Sequence, residues 1–327
     1  MRIIYKRDMT EKQEVSQDIR YISLVASQIS FGSIGSLNKI KKVTQPKTQN
    51  RFAHALWSKP ALLNFKQARW NVSNQYELTL PITALSLAML LKMDQEVVLY
   101  TDTHGEVLLG DLGYHRVYNI FDNFAAHTDF WAAGKIEALR HEPLDSTMID
   151  TDIFIYDGDI IDRINSLNVC GSHTEDTTAY KDMLTFVQQI IPRFAGDNDT
   201  STNCGFIKID DVSKKDKFIM SYWDGAKRFD PDLLNKIKTA GNGAYCVDLA
   251  VEQFNFHKLC APEHVITLPQ NQTETEGLVH LVSFEKYLKI PMILDLLKLE
   301  YPEMYGKVIQ KWNELGFSVQ VEDEVYC

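Results

Sequence analysis

Two short apolar runs with a helical stretch between them set the limits on this fold. Phe52-Ala53-His54-Ala55-Leu56-Trp57 closes on Ser58-Lys59-Pro60, as a strand running into a loop does. Residues 74–93 carry Leu78, Ile82, Leu85, Ala88, Met89 and Lys92 roughly on one side at helical spacing. Pro81 predicts a kink or a break near the start of that helix, because it lacks the N–H that a helix uses. Glu96-Val97-Val98-Leu99-Tyr100-Thr101-Asp102 is then a run of β-formers ending in a polar loop. Strands joined through a helix of this length pair in parallel, and a parallel sheet needs helices on its faces. The expectation is an α/β domain whose ligands gather beyond the carboxyl ends of its strands.

The stretch Ser146 to Tyr156 is apolar and β-branched except for two carboxylates, Asp150 and Asp152. Read as one strand, it points both side chains to the same face. Two such carboxylates repel, and a divalent cation resolves the conflict, since Mg²⁺ and Mn²⁺ take hard oxygen ligands and leave room for phosphate. The competing reading is a solvated turn, and Asp157-Gly158-Asp159 and Asp197-Asn198-Asp199 share the spacing. Asp102 also ends a strand, in the region where ligands collect, which favours a metal–diphosphate site.

The rest of the chain fits one catalytic-size domain. A third strand is expected over Arg116–Ile120, a short helix within Phe130–Arg140 ended by Pro143, and a strand over Cys204–Ile209. Helices are expected over 231–239, 247–259, 290–299 and 301–315, late strands over 265–268 and 278–282, and a short amphipathic element over 181–194. No linker follows residue 51, so the domain spans 51–327 and residues 1–50 form an N-terminal extension. That extension holds a strand candidate at Ile3–Tyr5, a strand or helix at 21–29, a Gly/Ser turn at 31–36 and a basic, Gln-rich linker over 39–50.

With 327 residues, 45% hydrophobic and 24% charged, the chain has the composition of a soluble globular protein. A formal net charge of −10 argues against a nucleic-acid partner, which selects a basic stripe. No apolar run reaches the roughly 18 residues of a transmembrane segment, and the N-terminus lacks the apolar core of a secretory signal. Five scattered cysteines, at 170, 204, 246, 260 and 327, suit a reducing cytoplasm. The expected location is cytoplasmic, or peripheral to the inner face of the membrane.

The order of motifs resembles the nucleotide-diphospho-sugar transferase (GT-A) fold of glycosyltransferases, and more closely a bacterial family of uncharacterised glycosyltransferase-like proteins. The matching pieces are Leu56-Trp57-Ser58-Lys59-Pro60, Leu99-Tyr100-Thr101-Asp102, Phe130 through Leu139, Ile149-Asp150-Thr151-Asp152, Asn203-Cys204-Gly205, Glu252-Gln253 and His280. The resemblance implies a GT-A-like mixed, mostly parallel sheet flanked by helices. It also implies Mn²⁺ or Mg²⁺ on Asp150 and Asp152 against a nucleotide-sugar donor, with Asp152 the more direct ligand. His280 would complete the metal shell; the glycine that follows such a histidine in those proteins is absent here, where His280-Leu281-Val282-Ser283-Phe284-Glu285-Lys286 stands. Lys286 and Lys135 would meet phosphate, with Arg140 a weaker candidate. Tyr100 would stack on a base, and Asp102 would accept from the base or ribose. Asn203 and Gly205 would line the sugar or acceptor pocket, and Glu252 with Gln253 would contact donor sugar or acceptor, Glu252 as general base. Trp57 would join the nucleotide site at its strand end, and Trp57, Trp131 and Trp223 serve either as core or as sugar platforms.

The implied activity is transfer of a sugar from a nucleoside diphosphate-sugar to a hydroxyl on a glycan or lipid-linked acceptor, in surface polysaccharide synthesis. A non-catalytic nucleotide-sugar or carbohydrate-binding protein is the alternative. The chain contains no Gly-x-Ser-x-Gly elbow, Walker loop, Rossmann glycine fingerprint or His-Glu-x-x-His.

Overall fold

A computed structural model describes residues 2–7, 43–63, 74–176, 200–239, 245–266, 274–275, 277–281 and 285–322. The expectations for 21–29, 31–36 and 181–194 lie outside these residues. Strand β1 (Arg2–Arg7) belongs to a terminal ribbon, and the central sheet begins with β2 (Arg51–Leu56). Helix α1 (Gln75–Lys92) leads to β3 (Glu96–Thr101), and α2 (Thr103–Leu109) to β4 (Arg116–Asn119). Helix α3 (Ala133–His141) then precedes β5 (Ser146–Ile149). The chain leaves the sheet for β6 (Ile153–Ile155), passes α4 (Gly158–Ser166) and returns with β7 (Val169–Gly171). Strands β8 (Thr174–Asp176) and β9 (Thr200–Thr202) pair with each other before β10 (Phe206–Ile209) rejoins the sheet. Helices α5 (Val212–Ala226), α6 (Pro231–Thr239), α7 (Tyr245–Leu249) and α8 (Asn255–Cys260) follow, then β11 (Glu263–His264). Strands β12 (Glu274–Thr275) and β13 (Leu278–His280) extend β6 into a second sheet. Helices α9 (Glu285–Leu288), α10 (Ile290–Glu300) and α11 (Pro302–Glu314) lead to β14 (Phe317–Glu322), which pairs antiparallel with β1.

The central sheet has seven strands in the order β11-β7-β10-β5-β2-β3-β4. Only β10 runs against its neighbours; the other pairings are parallel. The expected α/β, GT-A-like mixed sheet is therefore present. Alternation along the strands divides the core in two. Phe52, Val97 and Leu99 face a layer built from α1, α10 and α11, while Ala53, Val98, Tyr100 and Met148 face α3, α5 and α8.

Helix α1 departs from its amphipathic reading, because nearly every residue from Tyr76 to Leu90 is buried. Sheet on one side and two helices on the other leave no solvent face to mark with polar residues. The helix also runs unbroken through Pro81. Pro81 has no N–H to offer the Glu77 carbonyl, and the Trp312 indole donates to that oxygen instead, at 2.9 Å.

Residues 43–50 have no regular structure yet are tied down. Thr44 N donates to Tyr156 O at 3.1 Å, and the Asp162 carboxylate accepts from Lys47 N, Thr48 N and Thr48 Oγ1 at 2.8–3.0 Å. These bonds cross the boundary expected at residue 50. Late in the chain, β11 covers Glu263–His264 rather than 265–268, and 267–268 lie outside the described residues.

Candidate metal centre

The two aspartates do not stand in one strand. Strand β5 ends at Ile149, and β6 begins at Ile153 in a different sheet. The Asp-x-Asp unit is the turn that hands the chain across. Asp150 N donates to Gly205 O at 2.7 Å, and Ile153 N returns to Asp150 O at 3.2 Å. This corrects the expectation of two same-face strand residues: a turn, not the pleat, brings the carboxylates together. Strand register supplies the third group. β13 pairs His280 with Ile153, and Leu281 N donates to Asp152 O at 2.9 Å, so His280 lies alongside Asp152. One ligand atom from each of Asp150, Asp152 and His280 lies within 4.8 Å of the other two.

Charge around the group is dense. Lys286 Nζ is 2.8 Å from Asp152 Oδ2, and His280 Nε2 is 3.6 Å from Asp152 Oδ1. Burial alone would raise the Asp152 carboxyl, but Lys286 and His280 outweigh it and hold the group well below the usual carboxylate range. Lys135 reaches from α3 into the same region, 2.8 Å from Asp150 Oδ1, 2.9 Å from Glu252 Oε1 and 2.7 Å from Cys204 O. Burial disfavours its ammonium, yet the two carboxylates more than compensate and raise its pKa above the ordinary lysine value.

Glu252 and Gln253 lie on a π-helical turn, Ala250–Phe254, inserted between α7 and α8. The expected helix over 247–259 is thus wound wide where its functional candidates sit, a local irregularity often found at sites. Glu252 meets Lys135, whereas Gln253 Oε1 accepts from Ser201 Oγ at 3.4 Å. Asn203 Oδ1 accepts from Gly205 N at 2.9 Å. A Cβ on Gly205 would sit 2.6 Å from Ile153 Cδ1 and 2.9 Å from His280 Cε1, so close approach alone requires glycine there.

The donor set fits a divalent cation. Asp152 Oδ1 and His280 Nδ1 are buried, and among the described residues neither has a hydrogen-bond partner. Such orphaned atoms call for a water or an ion. Asp150, Asp152 and Glu252 oppose the two ammonium groups of Lys135 and Lys286, which leaves an excess of negative charge that a cation would offset.

Three residues expected to bind nucleotide have internal partners instead. Asp102 caps α2, accepting from Gly105 N at 2.8 Å, and clasps the end of β2 through Ser58 N and Ser58 Oγ at 2.9 and 2.8 Å. Tyr100 is stacked on Tyr118, and its hydroxyl donates to Glu142 at 2.6 Å. Trp57 is buried edge-on against Phe124, with Gly134 against its Cβ. Arg140 is 3.4 Å from Glu137 on its own helix.

Other residues join the site without a sequence signal. His54, in the middle of β2, bonds to Tyr114 OH at 2.8 Å and lies 3.3 Å from Ser86 Oγ, which donates to Ile153 O at 2.6 Å. It props the turn from within the core, and burial pushes its pKa down to about 3. Glu175 on β8 accepts from Asn203 Nδ2 at 3.3 Å. Neither shows in periodicity, because one reads as a polar interruption of an apolar run and the other as a loop acid.

Fold and site together define an α/β protein with a carboxylate–histidine group able to hold a metal ion at the carboxyl end of a parallel strand. The chain belongs to DUF6734, a family of unknown function, which it matches over residues 50–311. No curated protein matches it. Among the described residues, no helix is long and apolar enough to cross a membrane.

Proposed function

We propose that the protein is a metal-dependent glycosyltransferase that moves a sugar from a nucleoside diphosphate-sugar to a hydroxyl acceptor. The observation that carries this reading is the convergence of Asp150, Asp152 and His280 at a strand-to-strand turn, with two lysines alongside. Two carboxylates and an imidazole suit Mn²⁺ better than Mg²⁺, whose preferred partners are all oxygen. A divalent ion there would neutralise charge on the departing diphosphate. Lys286, on a short helix beside the group, is the cation able to turn from Asp152 to a phosphate. Glu252 is assigned to hold Lys135 against Asp150 rather than to act as base, since its carboxylate is buried and ion-paired. Glycan or lipid-linked acceptors, surface polysaccharide synthesis and a cytoplasmic place at the inner membrane face complete the proposal.

The internal partners of Trp57, Tyr100 and Asp102 favour a second reading, a carbohydrate-binding protein without nucleotide chemistry. Thermal-shift measurements with UDP, GDP and their sugars, each with and without Mn²⁺, separate the two. The transferase reading expects Mn²⁺-dependent stabilisation by one nucleotide and slow hydrolysis of its sugar form. It also expects Asp152→Asn to weaken Mn²⁺ binding by more than about tenfold, the loss common even for outer-shell partners. Nucleotide affinity that ignores both Mn²⁺ and Asp152→Asn would sink it.

A further inference from the structure

Each of the two lysines beside the metal group takes up one oxygen of one aspartate. Lys286 Nζ lies 2.8 Å from Asp152 Oδ2, whereas Asp152 Oδ1, on the His280 side, is buried and has no hydrogen-bond partner among the described residues. Lys135 Nζ lies 2.8 Å from Asp150 Oδ1. The same ammonium is 2.9 Å from Glu252 Oε1 and 2.7 Å from Cys204 O. These three oxygens match the three N–H groups of an ammonium, so Lys135 has none left over for a ligand. Its side chain is 10% exposed and that of Glu252 3%, which pins the arrangement inside the protein.

A carboxylate held this way offers a cation one oxygen rather than two. Partners of this kind orient the ligands of a metal and tune its binding. Ions differ in what they need. Ca²⁺ takes about 6–8 oxygens in a flexible shell and can draw two from one carboxylate, whereas Mg²⁺ keeps a near-ideal octahedron and several waters. Octahedral oxygen-rich sites suit Mn²⁺ as well. Asp150, Asp152 and His280, giving one donor each, leave about three of an octahedral ion's positions open to water or phosphate. The same three donors fall well short of a calcium shell, and one of them is a nitrogen where calcium calls for oxygen.

We propose that Lys135 and Lys286 are positioning residues that limit Asp150 and Asp152 to one metal-facing oxygen each in the nucleotide-free protein, and that this limit selects an octahedral ion such as Mn²⁺ over Ca²⁺. The inference rests on the metal centre of the reading above and not on sugar transfer. It is separable from the charge of the lysines. Two ammonium groups repel every divalent ion alike, so charge alone lowers all affinities without choosing among ions.

Lys286 carries the test, because Lys135 also supports the fold through Glu252. Calorimetric titration of the nucleotide-free full chain with Mn²⁺, Mg²⁺ and Ca²⁺ gives the affinities, and water-proton relaxation by bound Mn²⁺ counts the coordinated waters. The wild type is expected to bind Mn²⁺ more tightly than Ca²⁺ and to keep about three waters on the ion. Lys286→Met frees Asp152 Oδ2, so Ca²⁺ gains more than Mn²⁺ and one water is lost. The ratio of the two affinities then falls about tenfold, an effect of the size common for partners of metal ligands. A variant in which Mn²⁺ and Ca²⁺ strengthen alike and the water count is unchanged overturns the proposal, as does a folded Lys286→Met that binds no ion. Should the variant fail to fold, the wild-type count decides: about three waters supports one oxygen per aspartate, and two or fewer refutes it. A wild type that binds none of the ions removes the metal centre and the proposal with it. Nucleotide and sugar enter none of these readouts, so failure of the transferase reading alone leaves them as they stand.

Discussion

Replacing Lys135 with Met should cost more stability than any other single change in the site. The ammonium lies 2.8 Å from Asp150 Oδ1 and 2.9 Å from Glu252 Oε1. At an effective dielectric near 20, each contact is worth about 6 kcal/mol before desolvation, and desolvation takes back several kcal/mol per ion. The two carboxylates respond differently to its loss. The Asp150 side chain is 35% exposed and is hydrated again, whereas that of Glu252 is 3% exposed and stays buried without this cation. The expected penalty is therefore that of a buried pair broken from one side, about 3–5 kcal/mol.

The pH profile tests the sign of this effect. In the wild type the Lys135 pKa is raised, so its contribution is fully present below the ordinary lysine range and is lost only as pH rises through the folded value. The wild-type contribution of Lys135 is then flat through neutral pH. In Lys135→Met, Glu252 relieves its burial by taking a proton, so the penalty shrinks as the pH is lowered. Urea unfolding at several pH values measures this, together with Glu252→Gln made in the same chain, which should recover about half of the loss or more. A penalty below about 1 kcal/mol, or one indifferent to both pH and Glu252→Gln, refutes the assignment of a buried ion pair.

The same geometry sets three further expectations. His54 and His173 are pushed down to about 3 and about 4 by burial. Both depressed groups support folding above their unfolded pKa near 6.5, so urea unfolding should show about 2 kcal/mol lost per histidine between pH 7.5 and 5; a flat profile rules out neutral buried rings. A chain beginning at Arg51 should be about 1–3 kcal/mol less stable than one beginning at Val43, because it loses the donors that Lys47 and Thr48 give Asp162; equal midpoints would make residues 43–50 a passive linker. Gly205→Ala should cost about 1–3 kcal/mol and weaken Mn²⁺ binding as its methyl displaces Ile153 and His280; calorimetric titration with unchanged affinity counts against the placement of His280 in the group.

Much of the fold was legible because it rests on periodicity. β2, α1 and β3 repeat the pattern of the chain, and α10 and α11 lie within a residue of their expected limits. Expectations failed where neighbours, not local pattern, decide. The carbonyl that Pro81 leaves without a donor inside α1 is satisfied by Trp312, more than two hundred residues later. Asp102 ends its strand as expected, but Ser58 and Gly105 use up its oxygens. Asp150 and Asp152 were identifiable from residue type and spacing, His280 only through the resemblance to GT-A proteins, and Lys135 from its place one connection before the aspartates. Glu175 was not, since only the pairing of β8 with β9 sets it against Asn203.

The break between β5 and β6 is the feature that makes the site. An unbroken strand from Ser146 to Tyr156 would set its two aspartates about 7 Å apart at the backbone along one face. The chain instead uses its apolar residues in two sheets, Ile149 beside Phe206 in one and Ile153 beside His280 in the other. The turn between them is free to be acidic because neither sheet needs it for packing. Gly205 closes it from one side, and the backbone of Leu281 from the other. Residues that would be poor strand formers thus sit where the strand must stop, and the same turn that changes sheets gathers the ligands.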